Sequence, residues 1–257
     1  MRLVAFGWMK LILFCAAFLE VGLCQVVLNP APSRVVGQLQ LSGSTAPNLA
    51  EGRELNSPQG IALDMAASPP ILYVAGTGNN RVLAWRNASA FANGAPADPV
   101  IGQKDRFSTQ PMGPGTPISG GLSSPTGLAV RDRNLYVADS GNNRILRFPS
   151  PFANAEQLPD RVIGQGNFTS SLPNPGGRSA STLALAGNNG LYRASLAFDA
   201  AGNLFVTDPG NRRVLRYPAA SLNANGPPAD LALGQRDFLT LARPLDSSLA
   251  PWSRARW

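Results

Sequence analysis

The sequence predicts an all-β fold, and three observations predict it. One pattern occurs three times: Leu72 to Trp85 reads LYVAGTGNNRVLAW, Leu135 to Phe148 reads LYVADSGNNRILRF, and Leu204 to Tyr217 reads LFVTDPGNRRVLRY. Each copy follows a short apolar run, PQGIAL from Pro58, PTGLAV from Pro125 and ASLAF from Ala194. Each precedes another, PVIGQ from Pro99, RVIGQ from Arg161 and LALGQ from Leu231. Runs rich in β-branched and aromatic residues, bounded by Gly, Asn, Asp and Pro, read as strands. Four short strands per unit, repeated in register, is the pattern of a β-propeller blade. Arg34 to Gln38 (RVVGQ) repeats the fourth-strand motif alone. The expected architecture is therefore an incomplete β-propeller of about three four-stranded blades plus an orphan N-terminal strand.

Taken in order, the chain opens with an address. Arg2 and Lys10 precede the apolar stretch Leu11 to Leu19, and Glu20 ends it. That stretch is too short for a bilayer core, which needs about 20 residues. A basic start, a short apolar middle and then small residues is the layout of a secretory signal peptide. Residues 1–24 are so assigned, with cleavage before Gln25, and the mature chain is expected to be exported and to carry no transmembrane span. An uncleaved anchor and lipidation of Cys24 are the rival readings, the second disfavoured by the bulky Leu23 just before the cysteine. Both cysteines, Cys15 and Cys24, lie in this segment. Cleavage therefore removes every disulfide, thiolate ligand and cysteine nucleophile together.

Residues 25–54 are read as the orphan outer strand and a linker, and 55–107 as the first blade. An insert at 108–121, ending in PMGPGTPISGG, leads to the second blade, 122–168. A second insert at 169–190, containing SSLPNPGGRSAS, leads to the third blade, 191–238. Long Gly, Pro and Ser connectors of this kind are commonly functional or mobile. They are expected at one rim, where repeat proteins place binding loops. The tail 239–257 has no LYV run and no Gly-Asn-Asn hairpin, and the pattern is lost after about Asp246. The expectation is a truncated chain; the alternative is that copies self-associate to complete a ring, because an open array leaves an apolar blade face in water.

Leu122 to Phe148 (LSSPTGLAVRDRNLYVADSGNNRILRF) resembles the NHL repeat of β-propeller proteins, with Pro-x-Gly-apolar-Ala-apolar, then Leu-Tyr-Val-Ala-Asp, then Asn-x-Arg-apolar. The resemblance runs through three copies over nearly all of residues 55 to 238. It implies a propeller, and it implies a binding platform more often than an enzyme, with a few lyases and RNA binders in the family.

Within the motif, Gly78, Gly141 and Gly210 stand in the hairpin, and Gly-Asn-Asn is expected to supply its positive φ angles. Asp139 and Asp208 share one position, where the first copy has Gly76. A metal-binding or catalytic carboxylate is one reading of this Asp; a hairpin cap bonded to backbone amides or to Arg144 is the preferred one. Arg81, Arg144 and Arg213 follow the hairpin in all copies. They read as strand-end pairs with local acids or carbonyls in preference to a phosphate-binding array. Trp85, Phe148 and Tyr217 end the third strands and are expected between blades.

Composition sets the bounds on function. The chain holds 22 Lys and Arg against 15 Asp and Glu, a formal charge of +7, and no His. Without His there is no Ser-His pair, no His metal ligand and no His general base. The arginines are scattered through the motifs, so the charge argues little for nucleic acid. Neither a phosphate-binding Gly loop nor a Gly-x-Ser-x-Gly elbow occurs. Asn87-Ala-Ser89 and Asn167-Phe-Thr169 match the glycosylation acceptor pattern. The expected function is a non-catalytic exported scaffold binding a protein or carbohydrate, with no cofactor. A lyase or sugar-lactone hydrolase with a carboxylate metal site, and an RNA-binding propeller, are the alternatives.

Overall fold

In a computed structural model the described residues are 32–42, 50–117, 119–153, 156–186 and 194–241. The chain divides into two units, Met1–Pro32 and Ser33–Trp257, and all described structure beyond Pro32 belongs to the second. The segment read as a signal peptide (residues 1–24), with both cysteines, and the tail from 242 lie outside the described residues.

Each repeat folds into one four-stranded antiparallel sheet. The first contains β1 (Pro58–Asp64), β2 (Ile71–Gly76), β3 (Arg81–Trp85) and β4 (Val100–Ile101). The second contains β5 (Pro125–Arg131), β6 (Asn134–Asp139), β7 (Arg144–Pro149) and β8 (Arg161–Ile163). The third contains β9 (Leu196–Phe198), β10 (Leu204–Asp208), β11 (Arg213–Tyr217) and β12 (Leu231–Leu233). In every sheet the strands lie side by side in chain order, and no α-helix occurs among the described residues. The protein is all-β and propeller-like.

The near-continuous apolar character of β2 and β6 follows from burial on both faces, whereas β10 alternates buried and half-buried residues. Tyr73, Ala75, Val82 and Ala84 of the first sheet form one core with Leu135, Val137, Leu146 and Phe148 of the second. On the other side of the second sheet, Tyr136, Ala138 and Ile145 meet Leu204, Val206, Leu215 and Tyr217 of the third. Phe148 and Tyr217 thus lie between sheets. Trp85 lies on the outward face of the first sheet with Leu72, Val74, Leu83, Val36 and Phe91. The connectors also enter the core: Leu122, Leu183 and Leu185 are fully buried. The second connector, read from sequence as a rim insert over 169–190, is therefore partly a core segment.

Residues 34–38 form no strand. A strand needs a ladder partner, and the equivalent β8 finds its own in β7 of the same sheet. Instead, the Val35 N–H donates to Asn93 Oδ1 at 3.1 Å. The segment nonetheless keeps the local bend of its counterparts, since Gly37, Gly102, Gly164 and Gly234 all have φ between +84° and +91°.

The hairpin between second and third strands also departs from expectation. It is a 3₁₀ turn, and its positive φ falls on Asn80, Asn143 and Arg212, each at +52°. The glycines are needed for close approach instead. A Cβ on Gly78 would lie 2.6 Å from Asn56 Cγ, on Gly141 2.4 Å from Ser123 Oγ, and on Gly210 2.6 Å from Ala184 O. Their N–H groups bond the same segments, to Asn56 O at 2.9 Å, Ser123 O at 2.8 Å and Ala184 O at 2.9 Å.

Candidate functional site

Two constellations repeat with the sheets. One is a buried arginine clamp at the hairpin end; the other is an open groove along the first strands.

The clamp begins with register. Gly76 faces Arg81, Asp139 faces Arg144 and Asp208 faces Arg213 across their hairpins. Arg144 Nε donates to Asp139 Oδ2 at 2.7 Å and Arg213 Nε to Asp208 Oδ2 at 2.8 Å, with the side chains essentially inaccessible. Each carboxylate also accepts an asparagine amide, Asn142 at 2.7 Å and Asn211 at 2.8 Å. A backbone N–H completes each set, Ser123 at 2.7 Å and Ala184 at 2.8 Å. Burial pushes both carboxyls up from the ordinary range, and the arginine, amide and backbone donors pull against it.

The terminal guanidinium nitrogens pin the connectors. Nη1 of Arg81, Arg144 and Arg213 donates to the carbonyls of Arg106, Phe168 and Phe238, which follow the fourth strands. Nη2 donates to the carbonyls of Glu54, Gly121 and Thr182, which precede the first strands. All three guanidinium groups are thus bonded to backbone and buried, and present no open array to a polyanion. Three glutamines escaped the sequence reading although they recur in the GQ motif. Gln103 and Gln165 donate to the carbonyls of Asn80 and Asn143 at 2.8 and 3.0 Å, and Gln235 to that of Arg212 at 3.0 Å.

The groove lies where β1, β5 and β9 run beside one another. It encloses about 470 Å³ and is lined by residues 59–61, 126–128 and 194–196. Backbones come very close here. A Cβ on Gly60 would sit 1.9 Å from Thr126 O, and one on Gly127 2.7 Å from Ala194 O. These are the glycines of the Pro-x-Gly motif, and Ser195 occupies the corresponding place in the third sheet. Thr126 Oγ1 donates to Ala194 O at 2.8 Å, and Thr77 Oγ1 to Pro125 O at 2.7 Å, stitching each sheet to the next. The groove lining contains no titratable side chain. Gln59 and Ser195 are its exposed polar groups and Ile61, 68% exposed, its main apolar one. Among the described residues no group of three or more His, Cys, Asp or Glu could hold a metal ion, and no helix is long and apolar enough to cross a membrane.

Residues 122–148 match the NHL repeat family, so the chain carries an NHL repeat in a propeller-like array. No curated protein matches the chain significantly. Among solved structures, a streptogramin B lyase is 13% identical with a TM-score of 0.33, over 64% of this chain and 52% of that one. Virginiamycin B lyase from Staphylococcus aureus is 12% identical with a TM-score of 0.34, over 68% of this chain and 56% of that one. The matched region thus spans only about half the length of either lyase.

Proposed function

We propose that the chain is an exported binding scaffold without catalytic chemistry of its own, which holds a protein or carbohydrate ligand along the groove of β1, β5 and β9. The observation that carries this reading is the chemistry of the groove: amide, hydroxyl, backbone and apolar surface, with no group able to take or give a proton at neutral pH. Uncharged hydrogen-bonding surface beside an exposed aliphatic side chain suits a neutral sugar or a peptide segment. The three motif arginines, Arg81, Arg144 and Arg213, are buried and bonded to backbone, so they offer nothing to a polyanion. The basic and apolar start of the sequence supports export.

The test places a photo-crosslinking amino acid at Gln59 or Ser195, and at the exposed Arg236 as control, in the chain expressed with its leader. Adducts with a secreted protein or glycan from the groove positions alone are the expected result. Equal adducts from the control position would remove the groove from the account. Turnover of a streptogramin B or a sugar lactone by the purified chain with Mg²⁺ or Ca²⁺ would overturn the non-catalytic reading.

A further inference from the structure

The first and second sheets share a cavity of about 130 Å³ at the end away from the clamp, and none of its lining residues belongs to the groove. Its inner wall is buried: Asp64, the last residue of β1, is 2% exposed and Tyr73 1%. Its outer wall is open to solvent, with Arg86 and Arg133 exposed and Ser150 and Phe152 half-buried. Asp64 Oδ1 accepts the Ala66 N–H at 3.0 Å. Among the described residues no ion pair within 4.0 Å involves Asp64, Arg86 or Arg133. The Arg86 guanidinium lies 4.6 Å from the centroid of the Phe152 ring, which meets Tyr73 edge-on at 6.3 Å. Burial and the Asp64 carboxylate push the Tyr73 phenol up from its ordinary range, and Arg133 pulls it down. Acid, hydroxyl and cation thus act on one another across this space.

Between the second and third sheets the equivalent groups are bonded within the protein. Arg131 ends β5 where Asp64 ends β1, and its guanidinium lies 5.9 Å from the Phe198 ring centroid and donates to Asp199 O at 3.4 Å. Tyr136 faces Arg147, which hydrogen-bonds its phenol and pairs with Asp160 at 2.7 Å. Tyr73 faces Ala84 instead. The first interface alone therefore gathers an acid and two cations, none of them ion-paired, around one open space.

We propose that this cavity binds a small α-amino acid, with its ammonium on Asp64 and its carboxylate on Arg86 and Arg133. Polarity sets the class. A simple anion would meet the Asp64 carboxylate at the inner wall, and a simple cation would meet two guanidinium groups at the entrance. A ligand with both charges, ammonium inward and carboxylate outward, satisfies both ends through charge-assisted hydrogen bonds. Tyr73 and Ser150 add hydroxyls to the lining. Size sets the member. Liquid water takes about 30 Å³ per molecule, so the cavity has room for about four waters. Glycine, alanine and serine match that volume, and a longer side chain would have to project past the exposed arginines.

Ligand-observed NMR and calorimetry on the full chain test the site with glycine, alanine, acetate and methylammonium. Glycine and alanine are expected to bind. Acetate and methylammonium, each carrying half of the charge pattern, should bind roughly tenfold more weakly or worse. No binding of either amino acid, or acetate binding as tight as that of glycine, would overturn the site. Arg133→Asn removes an exposed cation and suits the left-handed backbone there, φ +62°. It is expected to weaken glycine binding about tenfold with Tm unchanged. Asp64→Asn, which keeps an acceptor oxygen for Ala66, should weaken it as much. Should Asp64→Asn fail to fold, Arg133→Asn decides, since its side chain is exposed. Undiminished glycine binding by Arg133→Asn would overturn the assignment. A ligand in the groove alters none of these outcomes.

Discussion

Asp139 and Arg144 face each other across the hairpin of the second sheet, Nε to Oδ2 at 2.7 Å, and neither side chain reaches solvent. The pair joins three pieces of backbone. Through Asp139 it holds Ser123, and through Arg144 it holds Gly121 and Phe168. Removing one partner strands the other. Asp139→Ala is expected to cost about 3–5 kcal/mol, because an uncompensated guanidinium stays buried. Asp139→Asn, which keeps an acceptor oxygen, should cost less. Urea unfolding of the two variants against wild type checks the order; equal losses would show that the retained acceptor oxygen adds nothing and that the lost charge carries the whole cost.

Gly60 and Ser195 occupy equivalent places, one with a sheet against it and one without. A Cβ at position 60 would collide with Thr126 O at 1.9 Å, and carbonyl backbone cannot give way cheaply. Gly60→Ala is expected to destabilise by roughly 1–3 kcal/mol or more, as overpacking does. Ser195→Ala, at an exposed position, should stay within about 0.5 kcal/mol of wild type. Thermal unfolding followed by circular dichroism separates the two, and a neutral Gly60→Ala would mean that β1 and β5 are not so closely apposed.

Arg147 and Arg216 repeat one bidentate pair, with Asp160 at 2.8 and 2.7 Å and with Asp230 at 2.9 and 2.8 Å. Arg147 also reaches Asn223 Oδ1 at 2.9 Å, in the connector of the next repeat, and is nearly buried. Arg147→Ala is expected to lower stability by about 2 kcal/mol, the scale of charge-assisted hydrogen bonds removed from a buried site. Arg216→Ala, whose pair stands in solvent, should leave the unfolding midpoint unmoved. Matching losses would show that contact with the next repeat adds nothing.

Much of the strand pattern was legible because it depends on local chemistry. LYV and RVL runs form strands wherever they are paired, and the shared GQ motif marks where each sheet ends. The roles of single motif residues were less so. Gly141 looks like a residue chosen for left-handed backbone, yet it is Asn143 that takes φ +52° and then bridges forward, accepting from Leu185 N–H at 2.9 Å. Leu183 and Leu185 looked like connector residues because no strand surrounds them, although they fill the core beside the third sheet. The groove was invisible for the same reason. Its walls come from strands more than sixty residues apart, and its residues carry no chemical signature of their own.

The amino-acid order by itself determined that this protein makes three copies of one four-stranded sheet, since hydrogen-bond pairing within each copy is between neighbours in the chain. Only the tertiary structure decided which repeated residues do equivalent work. Arg81, Arg144 and Arg213 are the same letter in the same motif, but whether each has a counter-charge depends on the atoms brought opposite it. That is a matter of packing in three dimensions, which no single repeat encodes alone.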